Sequence, residues 1–153
     1  MTISFAGHAF IPSTNKTKEM VKAQLRKNIT NADAVTCYLG GCGDFDEICA
    51  CACRELKLEC PNIKVVYVTP YINLSEQAKI KEMQCHNLYD YSIYPPIEST
   101  PQKFAILKRN EWMMKNADII IAYVNCRYGG AYKSLCVAKQ NKKKIINICD
   151  FLE

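Results

Sequence analysis

The sequence predicts an α/β fold: a Rossmann-like, doubly wound and mostly parallel sheet with helices on both faces. Three observations predict it. Apolar runs alternate with amphipathic helical patterns along all 153 residues. The run Asp118-Ile119-Ile120-Ile121-Ala122-Tyr123-Val124 is almost continuously apolar, as a central parallel strand covered on both faces must be. Two glycine clusters, Gly40-Gly41-Cys42-Gly43 and Gly129-Gly130, each stand where a strand pattern gives way to a helical one. One domain over residues 1–153 is expected, long enough to bury a full core.

Thr2-Ile3-Ser4-Phe5-Ala6 reads as the first strand, ended by Gly7-His8. Lys16 to Ile29 follows as a helix, capped by Thr14 or Asn15, with Met20, Val21, Leu25 and Ile29 as its apolar stripe. Val35 to Leu39 is the second strand. Phe45 to Leu58 is the second helix, with Ile48, Cys49, Ala52, Cys53 and Leu56 inward and Pro61 just past its end. Ile63 to Val68 is the third strand, closed by Pro70-Tyr71. Ser75, as cap, opens a helix that runs to His86. Tyr91 to Tyr94 is a short extended piece before Pro95-Pro96, inside an irregular stretch long enough to line a site. Phe104 to Asn116 is a helix with Ile106, Leu107, Trp112 and Met113 as apolar contacts. After the apolar strand, Gly129-Gly130 turns into a helix from Ala131 to Gln140, and Lys144 to Cys149 is the last strand.

Composition narrows the function classes. The formal charge of +5 is modest and Lys142-Lys143-Lys144 reads as a solvated run, so nucleic acid is not expected as a partner. No apolar run approaches membrane-spanning length and no signal-peptide pattern opens the chain, so a cytoplasmic protein with no membrane contact is expected. The ten cysteines form no C-x-x-C pair and are joined by only two histidines, so no metal is expected. Most of these cysteines read as small buried apolar residues in a reducing compartment, with Cys49 and Cys53 on one helix face and Cys51 turned away.

Ligands of such folds bind beyond the carboxyl ends of the strands. The residues there form the candidate wall: Gly7 and His8; Gly40, Gly41, Cys42, Gly43 and Asp46; Pro70 and Tyr71; Arg127, Gly129, Gly130 and Lys133; and Arg109 from the helix before the apolar strand. The first glycine turn does not match G-x-G-x-x-G, because Asp46 takes the third glycine position. It is also acidic, with Asp44, Asp46 and Glu47, whereas the second turn is basic, with Arg127 and Lys133. A helix N-terminus attracts an anion by about 0.3–1 kcal/mol, and neighbouring carboxylates oppose that attraction. A phosphate is therefore expected on Gly129-Gly130, and a ribose or base near Gly41, Gly43 and Asp46. Asp44 and Glu47 have capping-box spacing, which leaves Asp46 without a structural task. The chain has neither a P-loop nor a G-x-S-x-G elbow. Cys42 near His8 is compatible with a cysteine–histidine nucleophile, though no spacing requires one.

Leu39-Gly40-Gly41-Cys42-Gly43-Asp44-Phe45-Asp46, Arg109-Asn110 with Met113, Ala117-Asp118 and Gly129-Gly130-Ala131 together resemble the SLOG superfamily, the Rossmann-like group that contains DprA and the LOG phosphoribohydrolases. Gly7-His8, Tyr94-Pro95-Pro96 with Glu98, and Lys108-Arg109-Asn110-Glu111-Trp112-Met113 resemble a stand-alone bacterial branch of it. The resemblance implies a nucleotide-derived ligand on the glycine turns, Arg109 and Asn110 in the site, no cofactor, and a homo-oligomer associating through helices. LOG enzymes cleave the N-glycosidic bond of nucleoside monophosphates with an arginine and a glutamate. Arg109 matches the arginine, but the glutamate belongs to a G-G-x-G-T-x-x-E pattern where this chain reads Gly129-Gly130-Ala131-Tyr132-Lys133-Ser134-Leu135. The expected function is thus a non-catalytic module that senses or sequesters a nucleotide signal, a role that extends to bacteria–phage conflict. The alternative is an N-glycosidase acting on nucleoside monophosphates or NAD-like compounds, with Asp46 or Glu47 in place of the missing glutamate. A protein-interaction role with an empty pocket is the third reading.

Overall fold

The computed structural model describes residues 1–29 and 34–152. Six strands form one sheet: β1 (Thr2–Gly7), β2 (Val35–Leu39), β3 (Ile63–Val68), β4 (Tyr91–Ile93), β5 (Ile119–Tyr123) and β6 (Lys144–Asn147). The helices are α1 (Thr14–Ile29), α2 (Asp44–Lys57), α3 (Leu74–Cys85), α4 (Ala105–Lys115) and α5 (Gly129–Gln140). The sheet order is β4-β3-β2-β1-β5-β6, and all of its pairings are parallel. The expected fold class is the observed one, with a fully parallel sheet. The short extended piece at Tyr91 is an edge strand, in register with Val66 of β3.

Alternation along the strands feeds two cores. On one face Ile3, Phe5, Val35, Cys37, Leu39, Ile63 and Val65 meet the stripes of α1 and α2. On the other, Ala6, Val68 and Ile120 meet Met113, Met114 and Ala117 at α4 and Ala138 of α5. Ser4, fully buried, donates from Oγ to the Met113 carbonyl at 3.3 Å and ties α4 to the sheet. Every residue of β5 is buried, as its apolar run requires. The inward residues expected on α2 are all buried. Three caps differ from expectation. α1 begins at Thr14, so Thr14 and Asn15 lie inside its first turn and neither caps it. Asn73, not Ser75, caps α3, accepting from the Glu76 N–H at 2.9 Å. The capping box at Asp44 and Glu47 does not form, because Gly43 is the N-cap and Asp44 instead accepts from the Ile11 N–H at 3.0 Å.

Strand order reverses at β1: β2, β3 and β4 lie to one side, β5 and β6 to the other. In a parallel sheet all the strand-to-helix turns gather on one edge, and a crevice opens where the order reverses. No helix among the described residues is long and apolar enough to cross a membrane.

Candidate functional site

The crevice is present at the β1/β5 reversal. It is a cleft of about 270 Å³ lined by Gly7, His8 and Ala9 after β1, Cys42 and Asp46 after β2, Ile106, Arg109, Asn110 and Met113 of α4, and Gly130, Ala131 and Ser134 of α5. Residues 106, 109, 110 and 113 follow the i, i+3, i+4, i+7 rule, so one face of α4 forms a wall. Ser134 lies four residues beyond Gly130, on the same face of α5. The candidate wall read from the sequence omitted Ser134; that helical spacing from Gly130 was the signal for it.

The floor is built on Arg109, the largest fully buried side chain, at 1 % exposure. Its Nη1 donates to the carbonyls of Gly40 at 2.9 Å and Val68 at 2.7 Å, the groups just past β2 and at the end of β3. Its Nε donates to Asn110 Oδ1 at 2.8 Å. That bond uses the acceptor end of the Asn110 amide and leaves its N–H₂ end without a hydrogen bond, as is Arg109 Nη2, among the described residues. A residue expected to contact a ligand is therefore first a clamp between two strands. One edge of its guanidinium remains for the cleft.

Asp46 faces this floor. Its Oδ2 accepts from the Cys42 N–H at 3.0 Å, which folds the glycine turn back onto α2. Burial pushes its carboxyl up to about 6, against the opposing pull of the Cys42 N–H and the Arg109 charge. Glu47 stands apart, in a groove between α1 and α2 with Thr14, Asn15, Lys18 and Asp44. The first-turn acids thus divide, and only Asp46 enters the cleft.

The two glycine turns differ in what the missing side chains make room for. A Cβ on Gly40 would stand 2.9 Å from Arg109 Cζ, one on Gly41 2.8 Å from the Tyr67 ring, and one on Gly43 2.8 Å from the Ala9 Cα. Gly7 likewise leaves room for the Phe45 ring. These glycines serve internal packing. Gly129 and Gly130 have nothing within 4 Å of where a Cβ would be. Gly129 has a φ of +89°, which favours glycine, but Gly130 has neither a positive φ nor a neighbour to demand it. No side chain caps α5, and its first turn carries no acid.

His8 joins the rims of β1 and β5. Its Nε2 accepts from the Asn125 N–H at 3.0 Å, so a neutral ring carries its proton on Nδ1. The thiol beside it is Cys126, with Sγ 3.8 Å from Nε2, and not Cys42. Cys42 lines the cleft but makes no side-chain bond to His8. Several other expected wall residues lie elsewhere. Pro70 and Tyr71 line a separate cavity of about 200 Å³ with Tyr94, Ile97 and Gln102, because the first turn of α4 stands between it and the cleft. Arg127 and Lys133 are exposed and outside the cleft lining, because residues 130, 131 and 134 take the inward face of α5.

No protein-family model matches the chain, and no curated protein matches it. Solved structures do. DNA processing protein A from Helicobacter pylori, described for its single-stranded DNA binding mode, matches at 16 % identity and a TM-score of 0.59, over 95 % of this chain and 63 % of that one. DNA processing protein A (DprA) from Streptococcus pneumoniae matches at 18 % identity and a TM-score of 0.64, over 94 % of this chain and 48 % of that one. At these identities the likeness shows the fold alone, a Rossmann-like α/β fold shared with DNA processing protein A. The chain spans less than two thirds of either neighbour. The exclusion of nucleic acid as a partner is overturned by a neighbour that binds single-stranded DNA. That exclusion rested on Lys142 to Lys144, which lie at the amino end of β6, away from the cleft edge. The carboxyl edge, by contrast, exposes Phe10, Phe104 and Tyr128.

Proposed function

We propose that the cleft binds a nucleotide-derived small molecule, with its phosphate on the first turn of α5 and its sugar toward Asp46, Arg109 and Asn110. The observation that carries this reading is Gly130. Glycine within a helix costs up to about 1 kcal/mol relative to alanine, and here neither packing nor φ requires it. A bare backbone at an uncapped helix N-terminus is what close approach of an anion uses. Ser134 supports the same reading: it is 5 % exposed, lines the cleft, and its hydroxyl makes no hydrogen bond among the described residues. In this reading the molecule is held intact, for sensing or sequestration, and among the described residues Asp46 is the carboxylate that lines the cleft.

A combined assay tests this. Nucleoside monophosphates, NAD and ADP-ribose are screened by thermal shift, and the mixtures are then separated by chromatography. The expected result is a saturable shift with intact ligand, weakened at least tenfold in Gly130→Ala. Release of free base would contradict the binding reading and favour the N-glycosidase. Absence of any shift would reject the nucleotide assignment.

Phe10 at 76 % and Tyr128 at 75 % exposure favour a second reading, in which a single-stranded nucleic acid lies across the same edge and stacks on these rings. Each stacked base contributes about 1–3 kcal/mol, so Phe10→Ala should weaken a labelled oligonucleotide in an anisotropy titration while sparing mononucleotides.

A further inference from the structure

We infer that the floor formed by Asp46, Arg109 and Asn110 selects a ribose over a 2′-deoxyribose, so that the ligand is a ribonucleotide. The inference rests on the proposed nucleotide reading and adds to it the class of sugar.

It is argued from the hydrogen-bonding groups that the protein leaves unused. Asp46 spends Oδ2 on the Cys42 N–H, and its Oδ1 has no hydrogen-bond partner among the described residues. Arg109 spends Nη1 on two carbonyls and Nε on Asn110, and its Nη2 is unspent. Asn110 spends Oδ1 on Arg109, which turns its two amide N–H donors outward. The floor therefore presents one anionic acceptor beside two sets of donors, all lining the same cleft. Two vicinal hydroxyls, each both donor and acceptor, complement that pattern. One hydroxyl donates to Asp46 Oδ1 while the pair accepts from Arg109 and Asn110.

Position favours the sugar over the base. The cleft holds only about 270 Å³, and Gly130 and Ser134 line its other side. With a phosphate there, the covalently adjacent sugar reaches the floor, and the base is left toward the exposed apolar edge residues Ile106 and Tyr128. The electrostatics agree. Burial opposes ionisation of Asp46, against the Arg109 charge and one hydrogen-bond donor, the Cys42 N–H, so a hydroxyl of the ligand adds a second donor to its carboxylate. A 2′-deoxy sugar breaks the vicinal pair and leaves one of these cleft groups unpaired.

The test is calorimetric titration at pH 7.5 with the four 5′-ribonucleoside monophosphates and their four 2′-deoxy counterparts. Each ribonucleotide should bind at least tenfold more tightly than its deoxy partner, whatever the base. In Asp46→Asn that gap should close to within about twofold, with deoxynucleotide affinity little changed, because the amide keeps the Cys42 contact but turns a donor toward the sugar. Equal affinity for the two sugars in the wild-type protein, or selectivity that follows the base, overturns the inference and leaves the phosphate reading standing. Binding of none of the eight removes both. The wild-type comparison decides the matter even if Asp46→Asn fails to fold.

Discussion

The turns after β2 and after β5 are both glycine-rich strand-to-helix junctions, yet they are built in opposite ways. The turn after β2 is closed by its own chain. Arg109, Tyr67 and Ala9 occupy the space its glycines leave, Asp46 is bonded to it, and Asp44, Asp46 and Glu47 answer the dipole of α2. The turn after β5 is open. Nothing fills the space above Gly129 and Gly130, and no side chain caps α5. A glycine cluster is thus not itself a ligand signal. The informative glycine is the one the protein has no internal use for.

The largest expected effect comes from alanine scanning of the two turns. Gly43→Ala puts a Cβ against the Ala9 backbone at a φ of +91° and should cost about 3 kcal/mol or more in urea denaturation. Gly40→Ala should cost about 2 kcal/mol by displacing the Arg109 clamp. Gly130→Ala should leave stability unchanged or raise it by up to about 1 kcal/mol. Equal destabilisation at both turns would erase the distinction.

A smaller effect is expected at Asp46, whose carboxyl sits at about 6 and so above its unfolded value. Such a group binds its proton more tightly when folded, which stabilises the protein in acid and is lost as pH rises through about 6. Arg109 faces it from α4, Cys49 from its own helix and Tyr89 from the segment before β4, the last two with their own ionisation opposed by the Asp46 charge. Asp46→Asn should therefore stabilise the fold by about 1–2 kcal/mol at pH 7.5 and by almost nothing at about pH 3, below the unfolded value. A gain that is the same at both pH values would show that ionisation is not the cause. A carboxylate retained against stability fits a functional role.

The smallest effect is expected far from either turn. Glu55 joins α2 to α1 through Lys18 at 2.8 Å and Lys22 at 3.0 Å, and these hydrogen bonds hold its carboxyl down at about 2. These three groups remain partly solvated, so Glu55→Gln should cost less than about 1 kcal/mol near neutral pH, with the difference vanishing as pH falls toward 2. Nucleotide affinity should be untouched; a change there would show that the cleft depends on α1–α2 docking.

Much of this was legible in the sequence. The bounds of β2 and β3 match their apolar runs, and the inward face of α2 follows from helical spacing. The cleft at the strand order's reversal follows from alternation of strands and helices once the order is known. What was not legible depends on distant partners. The guanidinium of Arg109 is buried because carbonyls 69 and 41 residues away need a donor, which no local pattern records. The capping box at Asp44 failed because the Ile11 N–H, 33 residues away, took its carboxylate. Pro70 and Tyr71 were grouped with the other turns by topology, but the first turn of α4 screens them from the cleft.

The most direct test of the central claim is a backbone amide NMR titration of the labelled protein with adenosine 5′-monophosphate, which reads both turns in one experiment. The account predicts that the amides of Gly129, Gly130 and Ala131 shift most and saturate together, with those of Gly41 and Gly43 moving little. Saturating shifts at Gly41 and Gly43, with Gly130 unmoved, would contradict it.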